Sequence, residues 1–111
     1  MEILNRQTLG QLEQDVGSEM LPVVIGVFLD EVGRQREQLR LLLAEGRIEE
    51  LGRLAHSLKS SCGSYGAEIS REQAATLEAA CRQGQADQLA SQVEGLFTSL
   101  EAVLALLATY R

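Results

Sequence analysis

The sequence predicts an all-α protein, an antiparallel up-down-up-down four-helix bundle with a short extra N-terminal helix. Three observations carry this. Good helix formers (Leu, Ala, Glu, Gln, Arg) dominate, and Pro22 is the single proline. Apolar residues recur at steps of three and four along most of the chain. Glycines 17, 46, 66 and 84 divide it into segments of helical length. The 111 residues suffice for one core, so residues 1–111 are expected to form a single domain.

Each element has its own signals. The first helix starts near Asn5 or Thr8, where Thr8 and Gln11 have capping-box spacing. Leu9, Leu12 and Val16 form its apolar stripe, and Gly17 ends it. Ser18 is the expected cap of a long second helix, with Pro22 in the first turn, where a missing N–H costs little. Its stripe is Leu21, Val24, Ile25, Phe28, Val32, Leu39, Leu42 and Leu43, interrupted by Arg34, Arg36, Glu37 and Arg40. After Gly46 almost no loop remains, so the third helix, Ile48 to Tyr65, turns back antiparallel. Ser70 and Gln73 suggest a capping box for a fourth helix with Ala74, Leu77 and Cys81 inside and Gly84 as its stop. A fifth helix runs from Ala86 to Tyr110. The short first helix is expected to lie across one end of the other four.

Composition narrows the function. Hydrophobic residues at 45% and charged residues at 23% are ordinary globular usage and argue against disorder. A net charge of −6 disfavours nucleic acid or an anionic membrane as partner. No apolar run is expected to approach the roughly 20 residues of a membrane span. The N-terminus lacks signal-peptide character, so a cytoplasmic protein is expected. Cys62 and Cys81 then read as reduced, small core residues.

The stretch from Leu54 to Gly66 holds the only histidine and the only lysine, His56 and Lys59. Histidine is the side chain whose ordinary pKa lies nearest neutrality. With His56 set at 0° on a helical wheel, Leu54, Leu58, Ser61 and Tyr65 fall between about 140° and 200°, and Leu51 and Cys62 near 220–240°. The imidazole therefore lies nearly opposite the core stripe. Glu49, Gly52, Arg53, Lys59, Ser60 and Gly63 share its face. Glycine inside a helix is destabilising, so Gly52 and Gly63 ask for a reason. Either they clear space for an approaching molecule or they pack against another helix. Lys59, one turn on, can reach over the imidazole. A cation there disfavours imidazolium and can hold phosphoryl oxygens.

One histidine supports little chemistry alone. A metal site needs three or four ligands, and none is expected. Serine or cysteine hydrolysis needs a cleft and an oxyanion hole, and no phosphate-binding glycine loop is present. What fits is a neutral imidazole that attacks an activated phosphoryl group brought by a partner and later gives it up. No kinase activity of its own is expected.

The run His56-Ser57-Leu58-Lys59-Ser60-Ser61-Cys62-Gly63-Ser64-Tyr65-Gly66 resembles the signature of histidine phosphotransfer (HPt) domains: His-x-Leu-Lys-(Gly/Ser), a small residue at +7 and glycine at +10. Phe28-Leu29-Asp30-Glu31 and Leu77-Glu78 extend the resemblance across the chain. Within the family it is most similar to the small free-standing LuxU type of quorum-sensing phosphorelays. The resemblance implies that His56 is the phosphoacceptor and that Lys59 stabilises the phosphoryl oxygens. Ser60 and Gly63 would give a docking receiver domain room, and Phe28 would be the apolar neighbour of the site; Gly52 and Arg53, on the same helix face by the wheel, are expected to line that docking surface too. Ser60 departs from the glycine common in the family. The implied partners are the receiver domain of a hybrid sensor histidine kinase and a downstream response regulator. No cofactor is expected on this chain, Mg2+ being carried by the receiver, and a monomer is expected. Two other readings stand beside this one. One is a non-catalytic helical adaptor for receiver domains. The other is the dimerisation and phosphoacceptor helices of a histidine kinase, where a proline normally follows at +5 and this chain has Ser61.

Overall fold

A computed structural model describes residues 3–110. Five helices follow one another: α1 (Arg6–Val16), α2 (Leu21–Ala44), α3 (Ile48–Ser64), α4 (Glu68–Gln83) and α5 (Ala86–Leu107). A 3-10 turn, Ala108–Tyr110, follows α5. Helices α2 to α5 alternate in direction, each packs on its chain neighbours, and α2 closes the ring against α5. This is the expected bundle.

Helix α1 is fixed by one residue. The Asn5 side-chain oxygen accepts from the backbone N–H of Gln7 at 2.9 Å and of Thr8 at 3.2 Å, so Asn5 caps the helix and Thr8 lies inside it. The Asn5 backbone N–H donates to the Gly66 carbonyl at 2.7 Å, and its side-chain amide donates to Glu68 at 3.0 Å. Helix α1 is thereby pinned to the α3–α4 turn, across one end of the bundle. Gly66 has φ +78°, and a Cβ there would stand 2.8 Å from the Asn5 carbonyl oxygen. Only glycine satisfies both the backbone and the contact.

Two helix starts differ from the sequence expectation. Helix α2 begins at Leu21, not Ser18. The Gly17 carbonyl accepts the N–H groups of Met20 and Leu21, both at 3.1 Å, so a turn over residues 18–20 takes the place of a serine cap. Helix α4 begins at Glu68, not Ser70. Ala67 N–H returns to the Cys62 carbonyl at 2.9 Å, and Arg71 N–H already donates to Ala67 at 2.9 Å. Ser70 is buried within the helix, and its hydroxyl meets the Ser99 hydroxyl of α5. A serine that resembled a cap is a polar pair inside the bundle, satisfied as a buried hydroxyl must be.

The core runs through Ile25, Val32 and Leu39 of α2, Leu51 and Leu58 of α3, Leu77 of α4, and Val93, Leu96 and Leu100 of α5. Each buried leucine contributes roughly 1.5–3 kcal/mol. Ala55, next to the histidine, is also fully buried and widens the core face of α3 beyond the predicted stripe. Val24, Leu42, Leu43 and Cys81 are only partly buried. Arg36 and Arg40 are more than polar interruptions of α2. Their guanidinium carbons each lie 3.5 Å from the centre of the Phe97 ring on α5. Arg36 also donates to the Phe97 carbonyl at 2.7 Å, and Arg40 forks onto Glu94 at 2.7 and 2.8 Å. They join α2 to α5 through cation–π and charge-assisted contacts.

One compositional expectation needs correction. Ala86–Tyr110 is long and apolar enough to cross a membrane by length and composition, the one such helix among the described residues. The sequence conceals this because its leucines are dispersed among Ala, Ser and Gly. In this fold Leu89, Val93, Leu96, Leu100, Val103 and Leu107 of that helix form one wall of the core.

Candidate functional site

Helix α3 is held on its inner face by Leu51, Leu54, Ala55, Leu58 and Cys62. This forces His56 outward, where its side chain is 63% exposed. Burial pushes the Cys62 thiol up to about 12, which removes it as a competing nucleophile at neutral pH.

The imidazole is not idle. Its Nδ1 lies 2.8 Å from Oε2 of Glu78 on α4. Lys59 Nζ donates to the other oxygen, Oε1, at 2.8 Å. Arg82, one turn beyond Glu78, donates to Oε2 at 3.0 Å. Glu78 is only 12% exposed, so three groups converge on one half-sheltered carboxylate. The hydrogen bond from Lys59 is the main reason the carboxyl is held below the usual carboxylate range; desolvation works against it, and the His56 bond adds to it.

An ionised carboxylate can only accept. Nδ1 must therefore carry the hydrogen of this bond, and in a neutral ring Nε2 keeps the lone pair. The arrangement leaves Nε2 as the ring nitrogen with a free lone pair. It also places an ammonium group one helical turn away.

The expected site residues divide into two groups. His56 and Lys59 come together, though Lys59 reaches Glu78 instead of spanning the imidazole. Arg53 is exposed and pairs with Glu49 at 3.3 Å, and Ser60 is exposed beside them. Gly52 and Gly63 are drawn against α4. A Cβ on Gly52 would meet Cys81 Cβ at 3.2 Å, and one on Gly63 would meet Arg71 Cδ at 3.2 Å. Their absent side chains let the two helices approach, which is the packing account of these glycines. Phe28 is buried and pairs with Tyr65 at a ring separation of 4.3 Å. The Tyr65 hydroxyl donates to the Val24 carbonyl at 3.1 Å. Phe28 thus sits under the C-terminal end of α3 with Tyr65 as its aromatic partner.

Glu78 and Arg82 do not figure among the site residues expected from the sequence. The available signal was Glu78's place at the edge of the α4 stripe, beside Leu77 and one turn from Ala74. Between α3 and α4 runs an open groove of about 690 Å³ with Gly52, Arg53, His56, Glu78, Cys81 and Arg82 among its walls.

Residues 23–109 match the Hpt domain family. The chain belongs to that family. Among Hpt relatives, phosphorelay protein LuxU of Vibrio harveyi is 33% identical over 98 residues, covering 88% of this chain and 82% of that protein. LuxU of Vibrio cholerae serotype O1 is 25% identical over 100 residues, covering 90% and 88%. The crystal structure of histidine-containing phosphotransfer protein B (HptB) from Pseudomonas aeruginosa PAO1 superimposes with a TM-score of 0.90. It covers 96% of this chain and 92% of HptB at 22% identity, so that likeness speaks for the Hpt fold alone.

Proposed function

We propose that this Hpt protein carries a phosphoryl group on Nε2 of His56 between receiver domains of a two-component phosphorelay. Its family and its LuxU relatives make it a phosphorelay histidine phosphotransfer protein. The observation that carries the assignment of the atom is the Glu78 bond to Nδ1, which leaves Nε2 as the outward lone pair.

The step balances without a free base. The Nε2 lone pair attacks phosphorus of an aspartyl phosphate, and the acyl P–O bond breaks. Its electron pair goes to the departing aspartate carboxylate. The new N–P bond leaves the ring as a phosphoimidazolium whose Nδ1 proton stays on the Glu78 hydrogen bond. In onward transfer a carboxylate oxygen of the acceptor receiver's aspartate attacks phosphorus and forms the new acyl O–P bond as the N–P bond breaks; the N–P electron pair returns to Nε2 and the neutral ring is restored. Lys59 supplies positive charge to the phosphoryl oxygens as they arrive. The partner supplies its own Mg2+ and aspartate.

The donor in this reading is the receiver domain of a hybrid sensor histidine kinase, and the acceptor is the receiver domain of a response regulator. This reading is completed by a quorum-sensing relay in the cytoplasm, with the protein working as a monomer; the likeness to phosphorelay protein LuxU supports the relay itself. Arg53 and Ser60, both exposed near the imidazole, form part of the docking face.

Phosphotransfer from a labelled receiver tests this reading. Acid-labile, base-stable label should enter the wild type and not His56→Gln. Label persisting in the variant would exclude His56. Signalling that survives the variant intact would favour a non-catalytic adaptor.

A further inference from the structure

The outer face of α2 serves neither the core nor the site. With Ile25 set at 0° on a helical wheel, the buried residues Leu21, Phe28, Val32 and Leu39 fall between about 300° and 340°. Val23, Asp30, Arg34 and Leu41 fall between about 140° and 180°, opposite the core. All four are exposed, Val23 at 52% and Leu41 at 55%. Val27 lies beside them and is 59% exposed. Arg36 and Arg40 are ion-paired, but Asp30 and Arg34 have no ion-pair partner among the described residues.

The stripe is spaced by 7, 4 and 7 residues, so it is symmetric about position 32. Its order is apolar, acidic, basic, apolar. A two-fold axis at that position sets Val23 against Leu41 and Asp30 against Arg34, twice each. Val27 falls opposite Glu37, whose methylene stem can cover it. A surface that complements itself in this way is what an isologous contact requires. Gly26 and Gly33 run along one edge of the stripe. A Cβ on either would have no neighbour within 4 Å among the described residues outside the helix's own backbone. Gly52 and Gly63 have a packing account in α4; these two have none within the single chain, although glycine weakens a helix. The same two-fold axis lays the glycine edges of two copies side by side, where bare backbone permits close approach.

We propose that the outer face of α2 is a pairing surface for a second copy of this chain, bound antiparallel about position 32. The stripe from Val23 to Leu41 is about 27 Å long at 1.5 Å per residue. One helix pair of that length makes a small interface, so the pair is reversible and depends on concentration. The net charge of −6 on each copy opposes association, but a Debye length of about 8 Å at physiological salt screens it, while the two Asp30–Arg34 pairs form in contact. His56, Lys59 and Glu78 lie on α3 and α4 and take no part in the pairing. Phosphotransfer needs one chain only, and the pairing goes beyond that reading without resting on it.

Sedimentation velocity of the full chain at physiological salt, from low micromolar to near-millimolar concentration, is the test. The wild type should pass reversibly from one chain to two. Asp30→Arg makes the centre of the stripe wholly basic and Arg34→Asp makes it wholly acidic, so each alone should weaken pairing by about tenfold or more. Mixed in equal amounts, these two variants should pair with each other at least as well as the wild type pairs with itself. Leu41→Lys should weaken pairing independently of the central charges. Helical circular dichroism should be the same in all of them, since every substituted side chain is exposed. A wild type that stays a single chain at every concentration would overturn the proposal. So would pairing that survives both charge variants, or a mixture of the two that remains single chains.

Discussion

Replacing Glu78 by glutamine tests the selection of the nucleophilic nitrogen. The carboxylate accepts from His56 at 2.8 Å, Lys59 at 2.8 Å and Arg82 at 3.0 Å, and it is 12% exposed. An amide has one accepting oxygen and one donating NH2. Facing an ammonium, it turns its oxygen to Lys59 and its NH2 to the imidazole. Nδ1 then accepts, the ring hydrogen moves to Nε2, and the attacking lone pair is masked. A hydrogen bond to a charged group contributes about 1.5–3 kcal/mol. At about 1.4 kcal/mol per tenfold, transfer to His56 should slow roughly ten- to a hundredfold. Quench-flow measurement of label transfer from a saturating phosphorylated receiver gives the rate. Nitrogen-15 spectra of the imidazole report the tautomer. Transfer at the wild-type rate with Nε2–H demonstrated would refute the reasoning, because the supposed masking would then be without effect.

Four further outcomes are expected. Lys59→Ala should slow transfer while thermal unfolding keeps its cooperativity; a matching loss of helical circular dichroism would mean that Lys59 is structural. Gly66→Ala combines a positive φ with a Cβ 2.8 Å from the Asn5 carbonyl, so chemical denaturation should show a loss of about 2–3 kcal/mol. Ser70→Ala leaves the Ser99 hydroxyl unpartnered and should cost about 1–2 kcal/mol, with the double replacement by alanine costing less than the sum of the singles. Glu78 has its folded-state pKa depressed, so its contribution to stability is complete above the unfolded carboxyl value and is lost as pH falls through the lower folded value. Denaturant midpoints of wild type should therefore fall more steeply than those of Glu78→Gln below about pH 4.5.

Much of this is legible in the sequence. The apolar period placed α3 correctly and set His56 opposite the core, because a helix maps spacing onto direction without reference to its neighbours. The glycines at 46, 66 and 84 ended their helices as expected, each with a positive φ. Helix starts were harder. Ser18 and Ser70 carry the chemistry of caps, yet the chain satisfied the N-terminal donors through a turn at one and buried the other against Ser99. Glu78 escaped for a different reason. It lies 22 residues from His56 in sequence, and only the close α3–α4 approach permitted by Gly52 and Gly63 unites them. Those two glycines show the same limit from the other side. Their position on the histidine face was readable, but the helix that fills the space before them was not. Arg36 and Arg40 likewise read as solvated interruptions in the sequence, because the Phe97 ring on which both guanidinium groups stack lies on another helix.

The imidazole and the three charged groups joined to it through Glu78, namely Glu78 itself, Lys59 and Arg82, belong to the hairpin of α3 and α4. Helices α2 and α5, bound to each other by the Arg36 and Arg40 seam, contribute none of them. The domain is thus a reactive cassette mounted on an inert chassis. Mutations can accumulate on the chassis, altering how stable the domain is, without disturbing the pairing of His56 with Glu78. The cassette, in turn, could be transplanted onto another antiparallel helix pair, provided the recipient offers α3 and α4 the same close spacing.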